Sequence, residues 1–256
     1  LEKQKRTTGV PENDIVECAV QSLGLNDVSE FVSDEKIIDH AINKSKRPIM
    51  DQSGNEFIKE LSTNSPAPGG GSVSAFAGAM GASLASMVAA LTHEKKEFLT
   101  VKEEMNSIGI EAQRLKDRLA FLVDEDTKAF NRVMKANRLS DGTDEERNIK
   151  EHAIEESNKY ATQIPMETAE LSFQVMQLSE KLVEHGNPNS VSDTGVSAEV
   201  CLAAIRGACM NVKINLPGIN DQNYVSDMSS KVSKLIKNAE ILQKKVFKKT
   251  MQTIEK

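Results

Sequence analysis

One uncharged segment of small residues constrains the fold of this chain more than any other feature. Residues 66–92 contain no charged side chain, and from about residue 73 the segment consists mostly of Gly, Ala and Ser. Helices that meet through small side chains can pack at short interaxial distances. The sequence therefore predicts a central helix over about residues 73–91, with other helices packed around it.

The same segment is long enough to be considered as a membrane span. However, Ser74, Ser83 and Ser86 add hydroxyl groups to it, and the rest of the chain is amphipathic rather than continuously apolar. Since a second stretch of this kind is absent from the sequence, we expect no membrane span.

The remainder of the chain shows helical periodicity. No proline occurs between Pro68 and Pro165, which permits long helices. Helices are predicted over about residues 55–63, 100–136, 144–163, 195–212 and 223–254. The helix over residues 144–163 is expected to be interrupted at Pro165 and to resume to about residue 185. Because no alternating strand pattern of useful length occurs, we predict an all-α fold, a bundle of about five to seven helices around the Gly/Ala/Ser-rich helix.

The chain divides into three predicted regions. Residues 12–43 show the pattern of two short helices, residues 44–54 lack periodicity and are a linker candidate, and residues 55–256 form the main domain. The chain begins with Leu rather than Met, so we expect it to be a piece of a longer protein.

Charge and cysteine content exclude several classes of partner. The net charge is −6 without a Lys- or Arg-rich block, which argues against a nucleic-acid surface and favours a small-molecule partner. The three cysteines lack the spacing of a zinc site or a disulfide framework, and the four histidines never fall four residues apart. We therefore expect no metal and a reducing, cytoplasmic location.

Asp126 is the carboxylate that the helical pattern singles out. It lies four residues after Leu122 and three after Val123, so it falls on the apolar stripe of its helix. Burial there would raise its pKa towards a value useful for proton transfer. The alternative is a structural carboxylate bound to a buried donor. Asp124 is predicted to point elsewhere and to pair with Lys128.

A Pro- and Gly-rich loop, residues 66–72, leads into the small-residue helix. Its prolines forbid a helix, and Ser72 is predicted to cap the helix that follows. The N–H groups at such a helix start suit a carboxylate, carbonyl or phosphate ligand. The loop is not a P-loop or a dinucleotide-binding turn, since no Lys-Ser/Thr pair follows and no strand precedes it. A tight structural turn is the alternative.

A polar loop at residues 185–195 ends one predicted helix and begins another. Ser192 and Asp193 stand at the helix start, where capping alone would explain both. The helix that follows ends in an amide-rich stretch with Asn211 and Asn215, and Asn211 is predicted to face inward. A buried amide requires hydrogen-bond partners, which a ring with paired donors and acceptors would supply.

Four ordered blocks resemble the cyclodeaminase/methenyltetrahydrofolate cyclohydrolase family. They are Pro66-Ala67-Pro68-Gly69-Gly70-Gly71-Ser72, Asp126-Thr127-Lys128-Ala129-Phe130, Ile164-Pro165-Met166 with Ala169-Glu170, and Gly186-Asn187-Pro188-Asn189-Ser190-Val191-Ser192-Asp193 with Asn211 and Asn215. Residues 1–43 also look like the C-terminal tail of a glutamate formiminotransferase domain, through Ser22-Leu23-Gly24-Leu25 and Lys36-Ile37-Ile38-Asp39-His40.

The resemblance implies a helical homodimer or higher homo-oligomer with folate sites near the subunit contact. It also implies a formimidoyltetrahydrofolate cyclodeaminase of one-carbon metabolism and histidine degradation. In that reaction the aryl amine of 5-formiminotetrahydrofolate attacks the formimino carbon, the ring of 5,10-methenyltetrahydrofolate closes and ammonia leaves. No cofactor beyond the folate is implied. The protein's part is to hold the reacting atoms together and to move a proton to the departing ammonia.

Carried over by motif, the family's catalytic aspartate falls on Asp126. Asp193 is then a second carboxylate, for binding the pterin or assisting proton transfer. Arg206 or Lys213 is expected to meet the glutamate tail of the folate. The residues expected to line the substrate site are Gly69, Gly70, Gly71, Ser72, Asn187, Asn189, Ser192 and Asn215.

Two alternatives stay open. The first is a methenyltetrahydrofolate cyclohydrolase, which opens the same ring with water. The resemblance of residues 1–43 to a formiminotransferase domain favours the cyclodeaminase, because formimino transfer and deamination are consecutive steps. The second, from another class, is a non-catalytic helical dimerisation or folate-binding module, which would have a similar helical pattern. Substitution of Asp126 by Asn separates an enzyme of either kind from a non-catalytic module, because only an enzyme would lose turnover.

Overall fold

The computed structural model describes residues 48–256 and, before them, residues 9, 12–27, 31 and 36. Within this part of the chain all regular structure is helical, so the prediction of an all-α bundle is confirmed. The seven α-helices are α1 (Glu12–Ser22), α2 (Gly54–Leu61), α3 (Gly70–His93), α4 (Lys102–Asn137), α5 (Asp144–His185), α6 (Val191–Asn215) and α7 (Gln222–Ile254).

Side-chain caps fix where several of these helices begin. Ser53 and Glu56 form a capping box at α2, in which each side chain binds the other's backbone N–H. Thr143 and Glu146 form the same motif at α5. At α7 the carboxylate of Asp221 accepts the N–H of Tyr224. These starts agree with the predicted helix starts to within two residues.

Helices α3 to α6 form an antiparallel four-helix bundle, and α7 packs against α5 and α6. The two ends of the bundle are marked by hydrogen bonds between neighbouring helices. At one end, which we call the lower end, Asn215 on α6 contacts Ala161 on α5. At the opposite, upper end, the N–H of Asn187 contacts Thr92 on α3. Chain direction therefore alternates from each helix to the next.

The core is lined by the apolar stripe of α4 and by the small residues of α3. Leu115, Leu119 and Leu122 are fully buried, and each contributes roughly 1.5–3 kcal/mol through burial. A side chain at Gly78 of α3 would overlap the hydroxyl of Ser172 on α5 and lie 3.1 Å from Leu119. The small residues of α3 thus allow the close packing that the sequence predicted.

Pro165 lies inside α5 without ending it, so the predicted interruption at this residue is wrong. A proline in a helix lacks the N–H that would bind the carbonyl four residues earlier. That carbonyl belongs to Ala161, and it accepts a hydrogen bond of 2.7 Å from the side-chain amide of Asn215. A neighbouring helix therefore supplies the donor that Pro165 removes.

The predicted N-terminal regions lie largely outside the described residues. Of the two short helices expected over residues 12–43, the first is α1, and the second falls largely on residues that are not described. The boundary between residues 1–43 and 44–54 is not described either. Within the expected linker, the N–H of Ile49 donates to the carboxylate of Asp124 at 2.6 Å. The linker residues from 48 onward therefore pack on α4.

Two helical segments are long and apolar enough to cross a membrane by length and composition, so the expectation that only one such stretch occurs is wrong. They are Gly70–His93 and Pro188–Gly218, with mean hydropathies of 1.6 and 1.2. Within each tested window 56% of the residues are buried inside the bundle. Packing in a helical core therefore accounts for just over half of the residues in each segment.

Candidate active site

Asp126 lies half-buried at the lower end of the bundle, against the first turn of α3. Its carboxylate occupies the space that a side chain at Gly71 would fill. The backbone N–H of Ser72 donates to this carboxylate, and the Ser72 hydroxyl lies 3.2 Å from Oδ2. The position on the apolar side of α4, predicted from the sequence, thus brings the acid to a helix N-terminus.

Burial raises the pKa of Asp126 above its ordinary value. The two hydrogen bonds from Ser72 act in the opposite direction, because they stabilise the ionised form, but burial has the larger effect. A carboxyl group with a raised pKa carries its proton at a higher pH than an exposed aspartate. This is the direction that favours a carboxyl group which gives and takes a proton during a reaction.

Ser72 does not cap α3, so that prediction is wrong. The helix begins at Gly70, with Gly69 at the cap position and no side-chain cap. Ser72 lies within the first turn and faces α4, where its hydroxyl is 3.0 Å from the carbonyl oxygen of Val123 and near Asp126. The residue serves to join α3 to α4 at the acid rather than to start a helix.

The first turn of α3 is flanked on its other side by Asn211 of α6. The amide nitrogen of Asn211 would lie 3.4 Å from a Cβ placed on Gly70. It donates to the carbonyl of Gly207 at 2.9 Å, and the side chain is only half-buried. Gly70 and Gly71 thus separate a carboxyl on one side from an amide on the other. The first N–H groups of an α-helix have no partner within the helix. The corner formed by Gly70, Gly71, Asp126 and Asn211 can therefore bind an anionic or carbonyl oxygen.

Asn215 lies near this corner, but its amide nitrogen is engaged by the carbonyl of Ala161. Asn211 was not among the residues carried over to the substrate site, although the structure places it closer to Gly70. The amide-rich sequence at the end of α6 was the signal, and only packing shows which of the two amides faces the first turn of α3.

The other predicted site residues lie at the upper end of the same chain. They are Asn187, Asn189, Ser192 and Asp193. Asp193 and Asn211 are 18 residues apart on α6, which is about 27 Å along a helix. Within one chain the structure therefore brings together Gly69, Gly70, Gly71, Ser72 and Asp126. Asn215 lies at the same end of the bundle and is bound to Ala161, and the other four lie at the opposite end.

At the upper end, hydrogen bonds within the bundle account for some of the polar residues in the loop at residues 185–195. Asn187 is buried and its side chain accepts the N–H of Asn189, while its own N–H donates to Thr92. Asn189 and Ser192 are exposed. Asp193 is partly exposed in the first turn of α6, and no hydrogen bond or ion pair joins its side chain to the described part of the chain.

Neither predicted cation faces the corner beside Asn211. Arg206 is bound to Glu240 of α7 at 2.6 Å. Lys213 is exposed and lies two residues from Asn211, which places it about 160° around the helix from that amide. The glutamate-binding role expected for these residues thus stays a prediction.

A second carboxylate near the site was missed from the sequence. Glu125 accepts the hydroxyl of Tyr160 at 2.7 Å and lies 2.6 Å from the ammonium of Lys128. The prediction that Lys128 would pair with Asp124 is wrong, because Asp124 turns to the N–H of Ile49. The three-residue spacing of Glu125 and Lys128 was an equally good signal for an ion pair.

Two surface depressions with lining residues in the described part of the chain lie away from Asp126. One, of about 390 Å³, is lined by Gln52, Glu56 and neighbours on α2. The other, of about 380 Å³, lies between α4 and α5 around Glu111 and Gln177. Asp126 is instead sheltered by direct packing against Gly71 and Ser72.

Comparisons with known proteins identify relatives across most of the chain. The family described as formiminotransferase-cyclodeaminase matches residues 53–234. A methenyltetrahydrofolate cyclohydrolase of Methylorubrum extorquens is 33% identical over 198 residues, which cover 76% of this chain and 95% of that protein. A formimidoyltransferase-cyclodeaminase of Rattus norvegicus is 31% identical over 226 residues, which cover 88% of this chain and 42% of the rat protein.

One solved structure supports the same relationship. The crystal structure of formiminotetrahydrofolate cyclodeaminase from Thermotoga maritima has a TM-score of 0.72 and 30% sequence identity to this chain. The match covers 79% of this chain and 98% of that one. The described helices thus correspond to nearly the whole of that protein.

Proposed function

This chain belongs to the formiminotransferase-cyclodeaminase family, and we propose that it closes 5-formiminotetrahydrofolate to 5,10-methenyltetrahydrofolate and releases ammonia. The family processes folates, and its members among the relatives include both cyclodeaminases and a cyclohydrolase. The observation that carries the proposal is the sheltered carboxyl of Asp126 beside the first turn of α3.

The proposed reaction needs one proton to move and no change of oxidation state. The N10 amine of the folate attacks the formimino carbon, so a C–N bond forms and N10 gives up its proton. The formimino group reacts in its protonated form, N5–CH=NH2+, so its nitrogen already carries two hydrogens. The proton lost by N10 is the third, after which the C–N bond to this nitrogen breaks and ammonia leaves, while the positive charge stays on the methenyl product. A single carboxyl group can accept this proton and deliver it to the departing nitrogen, which is the role proposed for Asp126.

The raised pKa of Asp126 supports this role, because ammonia is a poor leaving group until it carries a proton. Ring closure is intramolecular, so a site that holds N10 near the formimino carbon supplies much of the acceleration. The proposal requires no cofactor beyond the folate. Around the acid, Gly69, Gly70, Gly71 and Ser72 are proposed to bind the substrate through the N-terminus of α3.

A second candidate is the methenyltetrahydrofolate cyclohydrolase reaction, in which water opens the same ring. It is favoured by the relative from Methylorubrum extorquens, which this chain matches over 95% of its length. The cyclodeaminase is favoured by the match to the formimidoyltransferase-cyclodeaminase of Gallus gallus, which extends over 93% of this chain. That match spans 44% of the chicken protein, so any transferase activity or substrate transfer is a separate proposal.

One experiment separates the candidates. The purified chain is supplied with 5-formiminotetrahydrofolate while ammonia and the methenyl chromophore are followed, and a parallel sample receives 5,10-methenyltetrahydrofolate. The proposal predicts equal amounts of ammonia and methenyl product from the first substrate. Loss of the chromophore in the second sample, with no ammonia from the first, would identify a cyclohydrolase. No change in either would indicate a non-catalytic module.

A further inference from the structure

Helix α7 forms an outer edge of the molecule. One of its sides packs on α5 and α6, and Val232, Ala239 and Val246 on that side are fully buried. The opposite side is exposed within the described part of the chain. This outer side is remote in the fold from Asp126, which lies on α4 against the first turn of α3.

Four lysines and one isoleucine lie along the outer side of α7. These residues, here called the basic stripe, are Lys234, Lys237, Ile241, Lys244 and Lys248. They recur at alternating intervals of three and four residues, which places them on one side of a helix. At 100° per residue that side is opposite the buried one. All five are exposed, and Ile241 is exposed to 61%.

The charges of the basic stripe have no partner within the described part of the chain. Two other lysines of α7 form ion pairs, Lys231 with Asp227 and Lys245 with Glu180. No ion pair joins a lysine of the stripe to a described carboxylate. Like charges three or four residues apart on a helix repel each other. An anionic partner would relieve this repulsion.

The basic stripe concentrates positive charge in an acidic chain. Residues 231–249 contain seven lysines and one glutamate, whereas the whole chain has a net charge of −6. The lysines are interspersed with apolar residues in the sequence, so only the helix brings them to one side. Charge asymmetry of this kind is typical of proteins that bind a nucleic acid or an anionic membrane.

Exposed apolar side chains on the same helix favour a membrane over a soluble polyanion. Ile241 lies in the middle of the basic stripe, and Phe247, three residues after Lys244, is 49% exposed. Pairing with phosphate or carboxylate groups requires neither of these apolar side chains. At a membrane surface they would enter the headgroup region, while the lysine stems extend to the lipid phosphates. The stripe is roughly 21 Å long, enough to meet several headgroups at once.

A second copy of this chain is a poor partner for the basic stripe. Two facing stripes would place lysines against lysines, and Coulomb repulsion opposes such a contact. Glu240, the carboxylate next to Ile241 in the sequence, is already bound to Arg206 at 2.6 Å. An anionic surface outside the protein therefore matches the stripe better than the stripe of another copy.

We propose that α7 binds the surface of an anionic membrane through the basic stripe, with the helix parallel to the bilayer. Lys237, Lys244 and Lys248 lie beyond residue 234, where the match to the family ends. The stripe also lies on a different helix from Asp126 and its neighbours on α3. Membrane binding by α7 therefore does not rest on the proposed folate reaction.

Flotation with lipid vesicles tests the binding. In about 0.1 M salt the chain is expected to float with phosphatidylcholine vesicles that contain about 30% phosphatidylserine, and not with phosphatidylcholine alone. K237Q/K244Q should bind about 25-fold more weakly, about five-fold for each lysine, and keep its helical circular dichroism. K59Q/K96Q, which removes two exposed lysines elsewhere, is the control and should bind like wild type. A wild type that does not float, or equal binding by both variants, would overturn the proposal.

Ile241 distinguishes a membrane from a soluble polyanion. I241S is expected to bind phosphatidylserine vesicles about ten-fold more weakly, because its side chain no longer transfers apolar surface out of water. Soluble poly-L-glutamate and duplex DNA are the comparison ligands. If either polymer binds in a manner that K237Q/K244Q abolishes, while the vesicles stay unbound, the partner is a soluble polyanion and the proposal is overturned.

An environment-sensitive fluorophore tests which side of the molecule meets the bilayer. Cys201 and Cys209 are buried, so a C18S background leaves an introduced cysteine as the accessible one among the described residues. A label on I241C is expected to shift its emission to shorter wavelength when phosphatidylserine vesicles are added. The same label on I149C, at a residue of α5 that is 58% exposed, should not shift. Equal shifts at both positions would show unspecific adsorption and would overturn the assignment to α7.

Discussion

The carboxylate of Asp126 lies directly against the backbone of Gly71, in the space that any side chain at that position would need. This contact sets both the burial of the acid and its distance from the first N–H groups of α3. The candidate site is therefore sensitive to a single methyl group at residue 71.

We predict that Gly71→Ala displaces the Asp126 carboxylate and lowers kcat by about 100-fold, the effect of a displacement near 1 Å at a reacting group. The fold should survive, because the group that must move is the end of a side chain rather than backbone. Gly54→Ala is the matched control, since nothing lies within 4 Å of a Cβ there. Similar kcat values for both variants would refute the tight contact.

The raised pKa of Asp126 predicts how stability depends on pH. Below the ordinary value of 3.8, both folded and unfolded chains carry the proton and the full stability is present. As the pH rises from this value through the higher folded pKa, the Asp126 carboxyl ionises in the unfolded chain while the folded chain still keeps the proton. Ionisation therefore favours the unfolded state, and wild-type stability is lost. Asp126→Asn should therefore gain stability relative to wild type as the pH rises above 3.8, until the pH exceeds the folded pKa of Asp126, by about 1.4 kcal/mol for each tenfold difference in proton affinity. Urea unfolding at a series of pH values measures this difference, and a constant offset would contradict the account.

Ser72 provides a separate test of the same acid. Its hydroxyl is 3.2 Å from Asp126, and that contact stabilises the ionised form. In Ser72→Ala the pKa of Asp126 should rise further, so the fall of kcat with increasing pH should move to higher pH. The variant should also lose about 1 kcal/mol of stability. Ser107→Ala, at an exposed serine of α4 that binds only its own helix, should leave the pH profile unchanged.

Asn215 and Pro165 should be energetically coupled, because the amide of Asn215 binds the carbonyl that Pro165 leaves without a helical donor. Asn215→Ala is expected to cost about 1–3 kcal/mol of stability by leaving this buried group unpaired. The cost should fall by about 1 kcal/mol in a Pro165→Ala background, where the helical N–H is restored. A double-mutant cycle by urea unfolding measures this coupling, and equal costs in both backgrounds would contradict it.

The fold could be predicted from the sequence because its signals are local and repeat many times. The apolar stripe through Leu115, Leu119 and Leu122 identifies the buried side of α4, and the same pattern placed Asp126 correctly. Pro165 was a local signal that tertiary structure overrides, since its missing donor is replaced by Asn215 on another helix. Nothing in the sequence near residue 165 shows that such a donor exists.

The candidate site was predicted less completely because it depends on which helix ends meet. Sequence order gave no indication that Asp126 and Asp193 lie at opposite ends of one chain. The cap expected at Ser72 failed for a similar reason, since its hydroxyl faces α4. Val73, Met80, Met87 and Leu91 of α3 are 38–45% exposed, although their helical spacing is also typical of core residues, because periodicity alone cannot show whether an apolar side is covered.

The proton-transfer role of Asp126 is most directly measured by the kcat of Asp126→Asn with 5-formiminotetrahydrofolate, beside Asp117→Asn as a control. Asp117 is on the same helix, and its side chain is 62% exposed and paired with Lys116. The account predicts that Asp126→Asn keeps its helical fold and folate binding but loses about 10²–10⁴-fold in kcat, the usual contribution of a general acid–base group. Asp117→Asn should match wild type. A folded Asp126→Asn protein that turns over at close to the wild-type rate would contradict the account.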